Sequence, residues 1–114
     1  MFLNKNSFCI IPNAVPTHIC DKIIKYGNEH KQKMAVTGNI SKRKKPLTQK
    51  EIKDLKKHRN SRVTFLNDWW IQRHVFPAIQ EANIVAKWNL SITGHESMQF
   101  TKYNKGQFYD WHCD

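Results

Sequence analysis

The chain has 114 residues, 39% of them hydrophobic and 11% aromatic, which bounds it to one domain or part of one and excludes a disordered segment. Its formal charge is +10, with nineteen Lys and Arg against nine Asp and Glu, so an acidic or nucleic-acid partner is admissible. No apolar run approaches a membrane span, and the stretch from Met1 to Ser7 lacks the long apolar segment of a signal peptide; a soluble, cytoplasmic protein with no membrane partner is expected.

Ser7 to Ile11 is a short apolar and aromatic run closed by Pro12, and it predicts a strand. Pro16 then opens an amphipathic helix, with Ile19, Cys20, Ile23 and Ile24 at helical spacing and Gly27 near its end. From Lys31 to Asn60 the periodicity fades. The basic loop over 38–62 holds ten of the nineteen cationic residues, from Lys42 to Arg62, opposed only by Glu51 and Asp54. Lysine is accompanied by Asn and Ile throughout the chain, so this run is in part a compositional bias and in part a candidate contact for nucleic acid. Within it, Thr48 and Glu51 have the spacing of a capping box and predict a short helix from Gln49 to about Lys57.

Arg62 to Leu66 alternates and predicts a strand. Asn67 has the chemistry of an N-cap, with Asp68 in the first turn, and the helix beginning at Trp69 carries apolar residues at Ile71, Val75, Ala78, Ile79 and Ala82. Pro77 inside it predicts a kink or two shorter helices. Trp69 and Trp70 are expected as core anchors. Trp88 to Thr93 alternates again, and Gly94 closes that expected strand.

The chemistry concentrates after Ser97. His112 and Asp114 form a His-x-Asp triplet; in an extended strand, side chains two apart share a face about 6–7 Å apart, so both can converge on one ion. An imidazole and a carboxylate are two of the three ligands in the 2-His-1-carboxylate facial arrangement that holds Fe(II). Six His and five Asp in 114 residues produce such a triplet by chance in roughly one sequence out of four, so its neighbours must decide. The odd set Cys9, Cys20 and Cys113 has no Cys-x-x-Cys spacing, suggesting neither a disulfide framework nor a zinc knuckle, and alternation puts Cys113 on the strand face away from the two candidate ligands.

Those neighbours, Tyr103, Gly106 and Tyr109 ahead of His112 and Asp114, resemble the first core strands of the 2-oxoglutarate and Fe(II)-dependent dioxygenases, nearest to the prolyl 4-hydroxylase-like branch. The resemblance is specific from Gln99 onward and loose from Phe8, with Arg59, Asn60 and Ser61 similar to a segment the family often carries ahead of its long helix. It implies an α+β chain in which N-terminal helices, residues 1–96, pack on the beginning of a double-stranded β-helix, or jelly-roll, whose first core strands are residues 97–114. It also implies an oxidoreductase with His112 and Asp114 on Fe(II), 2-oxoglutarate as cosubstrate beside Tyr103, with Gln99 and Tyr109 as further pocket residues, and ascorbate as an accessory reductant. The expected substrate is a peptidyl proline or a related protein side chain.

The family's second His ligand and its 2-oxoglutarate-binding basic residue lie on later strands that are not among these residues. The expectation is therefore the N-terminal part of a longer, truncated enzyme, inactive by itself. The alternatives are a small basic nucleic-acid-binding module working through Lys42 to Arg62, or a non-catalytic remnant.

One topological expectation follows from register. A plain hairpin through Asn104, Lys105 and Gly106 would put His112 on the opposite face from Tyr103. Since the resemblance implies that both residues serve one site, and consecutive strands of the family's jelly-roll pass from one sheet to the other, the chain is expected to cross between sheets there, with Gly106 at positive φ.

Overall fold

The computed structural model describes residues 6–36 and 44–113. Among them the chain is a mixed α+β arrangement of helices and small sheets: α1 (Thr17–Glu29), β1 (Lys33–Met34), α2 (Gln49–Lys56), β2 (Arg59–Asn60), β3 (Arg62–Leu66), α3 (Trp69–Val85), β4 (Met98–Lys102) and β5 (Phe108–Tyr109). It divides into two compact units, one of Met1–Glu29 with Leu66–Met98 and one of His30–Phe65 with Gln99–Asp114.

The first unit is helical. The Pro16 carbonyl accepts the first backbone bonds of α1, from Ile19 and Cys20 at 2.9 and 3.0 Å. The predicted cap of α3 shifts by one residue. Asp68, not Asn67, is the N-cap, and its side chain makes no capping bond; Oδ1 instead accepts from the Tyr26 hydroxyl at 2.8 Å. Asn67 Oδ1 is engaged by Gln72 Nε2 at 2.8 Å, so the shorter-range competitor for the backbone loses to side-chain partners. Trp70 meets Tyr26 edge-on at 5.4 Å with Lys22 Nζ 4.6 Å from its ring, whereas Trp69 is largely exposed and is no core anchor.

Helix α3 runs unbroken from Trp69 to Val85 through Pro77, so two shorter helices are not formed. It ends in a Schellman motif. Lys87, at φ +56°, donates to the Ile84 carbonyl and Trp88 to the Asn83 carbonyl, both at 3.1 Å. Asn83 then takes the backbone of Leu90 through both side-chain atoms, Oδ1 from its N–H and Nδ2 to its carbonyl, each at 3.0 Å. That bridge, together with Asn89 at φ +55°, is why the expected strand from Trp88 to Thr93 is absent. The expected strand from Ser7 to Ile11 is absent too; Phe8 and Ile10 are exposed, and the Asn6 carbonyl accepts from the Trp88 indole.

The second unit carries the sheets. β1 pairs antiparallel with β3, Lys33 opposite Val63 and Met34 opposite Arg62, and β4 lies on the other side of β3. β2 pairs antiparallel with β5, Arg59 opposite Tyr109 and Asn60 opposite Phe108. Its buried residues are Ala35, Leu55, Arg59, Ser61, Val63 and Thr64. Helix α2 starts as its sequence predicts: Thr48 Oγ1 accepts from Glu51 N at 3.3 Å and Glu51 Oε2 accepts from Thr48 N at 2.7 Å, a complete capping box. Leu55 turns inward from it, and α2 packs on β2.

β4 and β5 are consecutive in sequence but belong to different sheets, so the chain crosses between them as the register argument requires. The crossing is a tight turn in which Gln107 N donates to the Asn104 carbonyl at 2.9 Å, with Gly106 third at φ +79°, the value a type II turn demands. Gln107 closes it from both ends, accepting from Asn104 N through Oε1 at 2.8 Å and donating to Asn60 Oδ1 of β2 at 3.3 Å.

Candidate metal site at the end of the last strand

β5 is two residues long, and its brevity shapes everything after it. The pairing with β2 extends one step, Asp110 N donating to the His58 carbonyl at 2.7 Å, and the backbone then bends at Trp111. In a regular strand Tyr109 and His112, three apart, point to opposite faces. Once the strand ends, their rings stack face to face, centroids 3.6 Å apart and planes 9° from parallel.

The stack continues into the unit. The Arg59 guanidinium lies 4.4 Å from the Tyr109 centroid. Since His112 covers one face of that ring, the guanidinium takes the other. Arg59 is only 7% exposed, and among the described residues no carboxylate pairs with it. Its charge is met by Nε donation to Ser61 Oγ at 3.2 Å and by the electron-rich face of Tyr109, so the ring is fixed by a desolvated cation. Arg59 stands out in the sequence only as part of the Arg59–Ser61 segment that the resemblance touches, which assigns it no place beside Tyr109; the β2–β5 register makes it part of this site.

His112 Nδ1 lies 2.7 Å from the Asp110 carbonyl oxygen, which can only accept, so Nδ1 carries the proton. The neutral ring then has its lone pair on Nε2. This tautomer, with the remote N–H held by a backbone carbonyl, is that of an imidazole prepared to ligate a metal. The Asp110 side chain faces elsewhere, Oδ2 being 3.9 Å from His58 Nδ1 in an exposed contact that is ionic only when His58 is protonated. The donor chemistry of His112 fits Fe(II); Asp114, the other expected ligand, lies outside the described residues.

The remaining predicted residues are not gathered around His112. The hollow beside it is lined by Phe108, Tyr109, Asp110, Trp111 and His112. Tyr103 is half exposed just past β4 and is not among those lining residues. Gln99 donates to Thr101 Oγ1 at 2.8 Å and lines a different cleft with Lys33, Ala35, Val63 and Phe65. The three cysteines are free, Cys113 exposed, and among the described residues no three His, Cys, Asp or Glu side chains converge.

No known protein family, curated protein or solved structure matches the chain. Among the described residues no helix is long and apolar enough to cross a membrane.

Proposed function

We propose that the chain carries, in β4 and β5, the first core strands of the jelly-roll of a 2-oxoglutarate- and Fe(II)-dependent hydroxylase of the prolyl 4-hydroxylase-like branch. The observation that carries this reading is the His112 imidazole, its Nδ1 held by the Asp110 carbonyl at 2.7 Å, the remote-nitrogen contact that metal-ligating histidines make. The spacing of Tyr103, Gly106, Tyr109, His112 and Asp114, and the passage of β4 and β5 into separate sheets, support it.

His112 Nε2 and the Asp114 carboxylate would hold the iron, and with 2-oxoglutarate bound the metal supplies the oxidation in which O₂ and 2-oxoglutarate become succinate and CO₂ while one oxygen atom enters a substrate C–H bond. The chain's own residues prepare that site. The Asp110 carbonyl fixes the tautomer of His112. Tyr109 covers one face of the imidazole and is itself pinned by Arg59, which restricts rotation of the ligand ring. Tyr103 and Gln99 are the residues assigned to 2-oxoglutarate, and a peptidyl proline or related side chain is the assigned substrate.

Titration of the full chain with Co(II), a spectroscopic stand-in for Fe(II), tests the ligand assignment through the visible absorption of the bound ion. His112→Ala and Asp114→Ala should each weaken binding by at least about tenfold, since even outer-shell partners of a ligand are worth that much. Affinity unchanged in both variants would overturn the reading.

A further inference from the structure

Helix α2 turns Ile52 and Leu55 inward and leaves Lys50, Lys53, Lys56 and Lys57 exposed. The two carboxylates of the helix are committed locally, Glu51 to the capping box and Asp54 to Lys57 Nζ at 3.4 Å. Among the described residues none of Lys50, Lys53 and Lys56 has a carboxylate partner, and the exposed Lys44 and Lys45 precede the helix. A cationic face that the fold does not neutralise attracts a polyanion.

An aromatic surface lies next to it in the same unit. Trp111 is fully exposed and Phe108 is 41% exposed. The His58 carbonyl accepts from Asp110 N, so Lys57 and Trp111 are each one residue beyond a hydrogen-bonded pair, and their Cα atoms are at most about 13 Å apart. An acidic peptide would engage the lysines and leave the indole idle. Unpaired bases joined by phosphates would use both, because every base offers a π face and every linkage a charge.

We propose that the outer face of α2 and the Trp111 indole form a binding surface for single-stranded nucleic acid. The lysines hold the backbone and Trp111 stacks on a base. Trp111 lines the hollow beside His112 but is not a ligand candidate, and the lysines are no part of that hollow, so the lysine variant tests this surface independently of the Co(II) titration.

The assay is fluorescence anisotropy of the full chain with an end-labelled oligothymidylate of about fifteen nucleotides. Binding should weaken as salt rises, log K falling with log salt by about 0.7 for each lysine–phosphate contact. Replacing Lys50, Lys53 and Lys56 together by Gln should flatten that slope by roughly 2. Trp111→Ala should weaken binding roughly five- to 150-fold without changing the slope. All four side chains are exposed, so both variants should keep the circular dichroism of the parent. Absence of binding at low salt, affinity unchanged in both variants, or equal competition by a polyglutamate peptide would each overturn the proposal, the last by assigning the surface to an acidic protein. A duplex bound as tightly as the single strand would overturn the stacking role.

Discussion

Tyr109 is the residue on which the geometry of the last strand depends, and replacing it by leucine isolates the reason. Leucine keeps apolar bulk at a half-buried position but has no π face for Arg59, 4.4 Å away, or for His112, 3.6 Å away. A cation–π contact is worth about 0.5–2 kcal/mol, and the burial of Arg59 at 7% exposure places this one in the upper half of that range. The stacked ring pair adds about 0.5–1.5 kcal/mol beyond its area. Together the substitution should cost about 1.5–3.5 kcal/mol, and at about 4 °C per kcal/mol for a chain of this size the Tm should fall by about 6–14 °C.

Thermal unfolding followed by circular dichroism, with Tyr109→Phe as a control that keeps a π face, measures the effect. Proton NMR adds a local readout, because the stacked Tyr109 ring shields the His112 ring protons and Tyr109→Leu should shift them downfield. A Tyr109→Leu protein within about 0.5 kcal/mol of Tyr109→Phe, the scale of an uneventful surface change, with His112 resonances unmoved, would refute the stack as the element that positions the imidazole.

Two further outcomes test the first unit. The Tyr26 hydroxyl, donating to Asp68, ionises above the usual tyrosine value of about 10, chiefly through that hydrogen bond, then through burial and the nearby negative charge. A pKa raised on folding means that this stabilisation is fully present below the unfolded value and disappears as pH rises through the folded one. Spectrophotometric titration should therefore show a late-ionising phenol that Tyr26→Phe removes, and a Tyr26→Phe protein that still shows it would contradict the contact. Lys87→Gly should stabilise the protein by a few tenths to about 1 kcal/mol, because it removes a side chain from a left-handed position at φ +56° while adding glycine's freedom to the unfolded chain; a lower Tm on this change would contradict the Schellman geometry.

Local chemistry made several elements legible in the sequence. Thr48 and Glu51 announce α2 because a capping box is completed within four residues, and the amphipathic spacing after Pro16 announces α1. Alternation from Arg62 to Leu66 matches β3. Gly106 marks its own turn because a positive φ there is costly for any other residue. The passage between sheets is an expectation of the resemblance, since a plain hairpin would set Tyr103 and His112 on opposite faces of what the family uses as one site.

What the tertiary structure decided is whatever needed a partner distant in sequence. Ser7 to Ile11 and Trp88 to Thr93 have the pattern of strands, but a strand forms only where another edge accepts its hydrogen bonds, and Asn83 takes Leu90 first. Asp68, the N-cap of α3, makes no side-chain capping bond, its carboxylate being engaged by Tyr26, forty-two residues earlier. Arg59 joins Tyr109 and His112 because β2 pairs with β5 and β5 stops after two residues. The sequence by itself names His112 and Asp114 as candidate ligands and spaces them for one ion. Which ring covers the imidazole and which carbonyl sets its tautomer follow from the bend where β5 stops, and which buried cation holds that ring depends on strand pairing across fifty residues; periodicity within one segment carries no information about either.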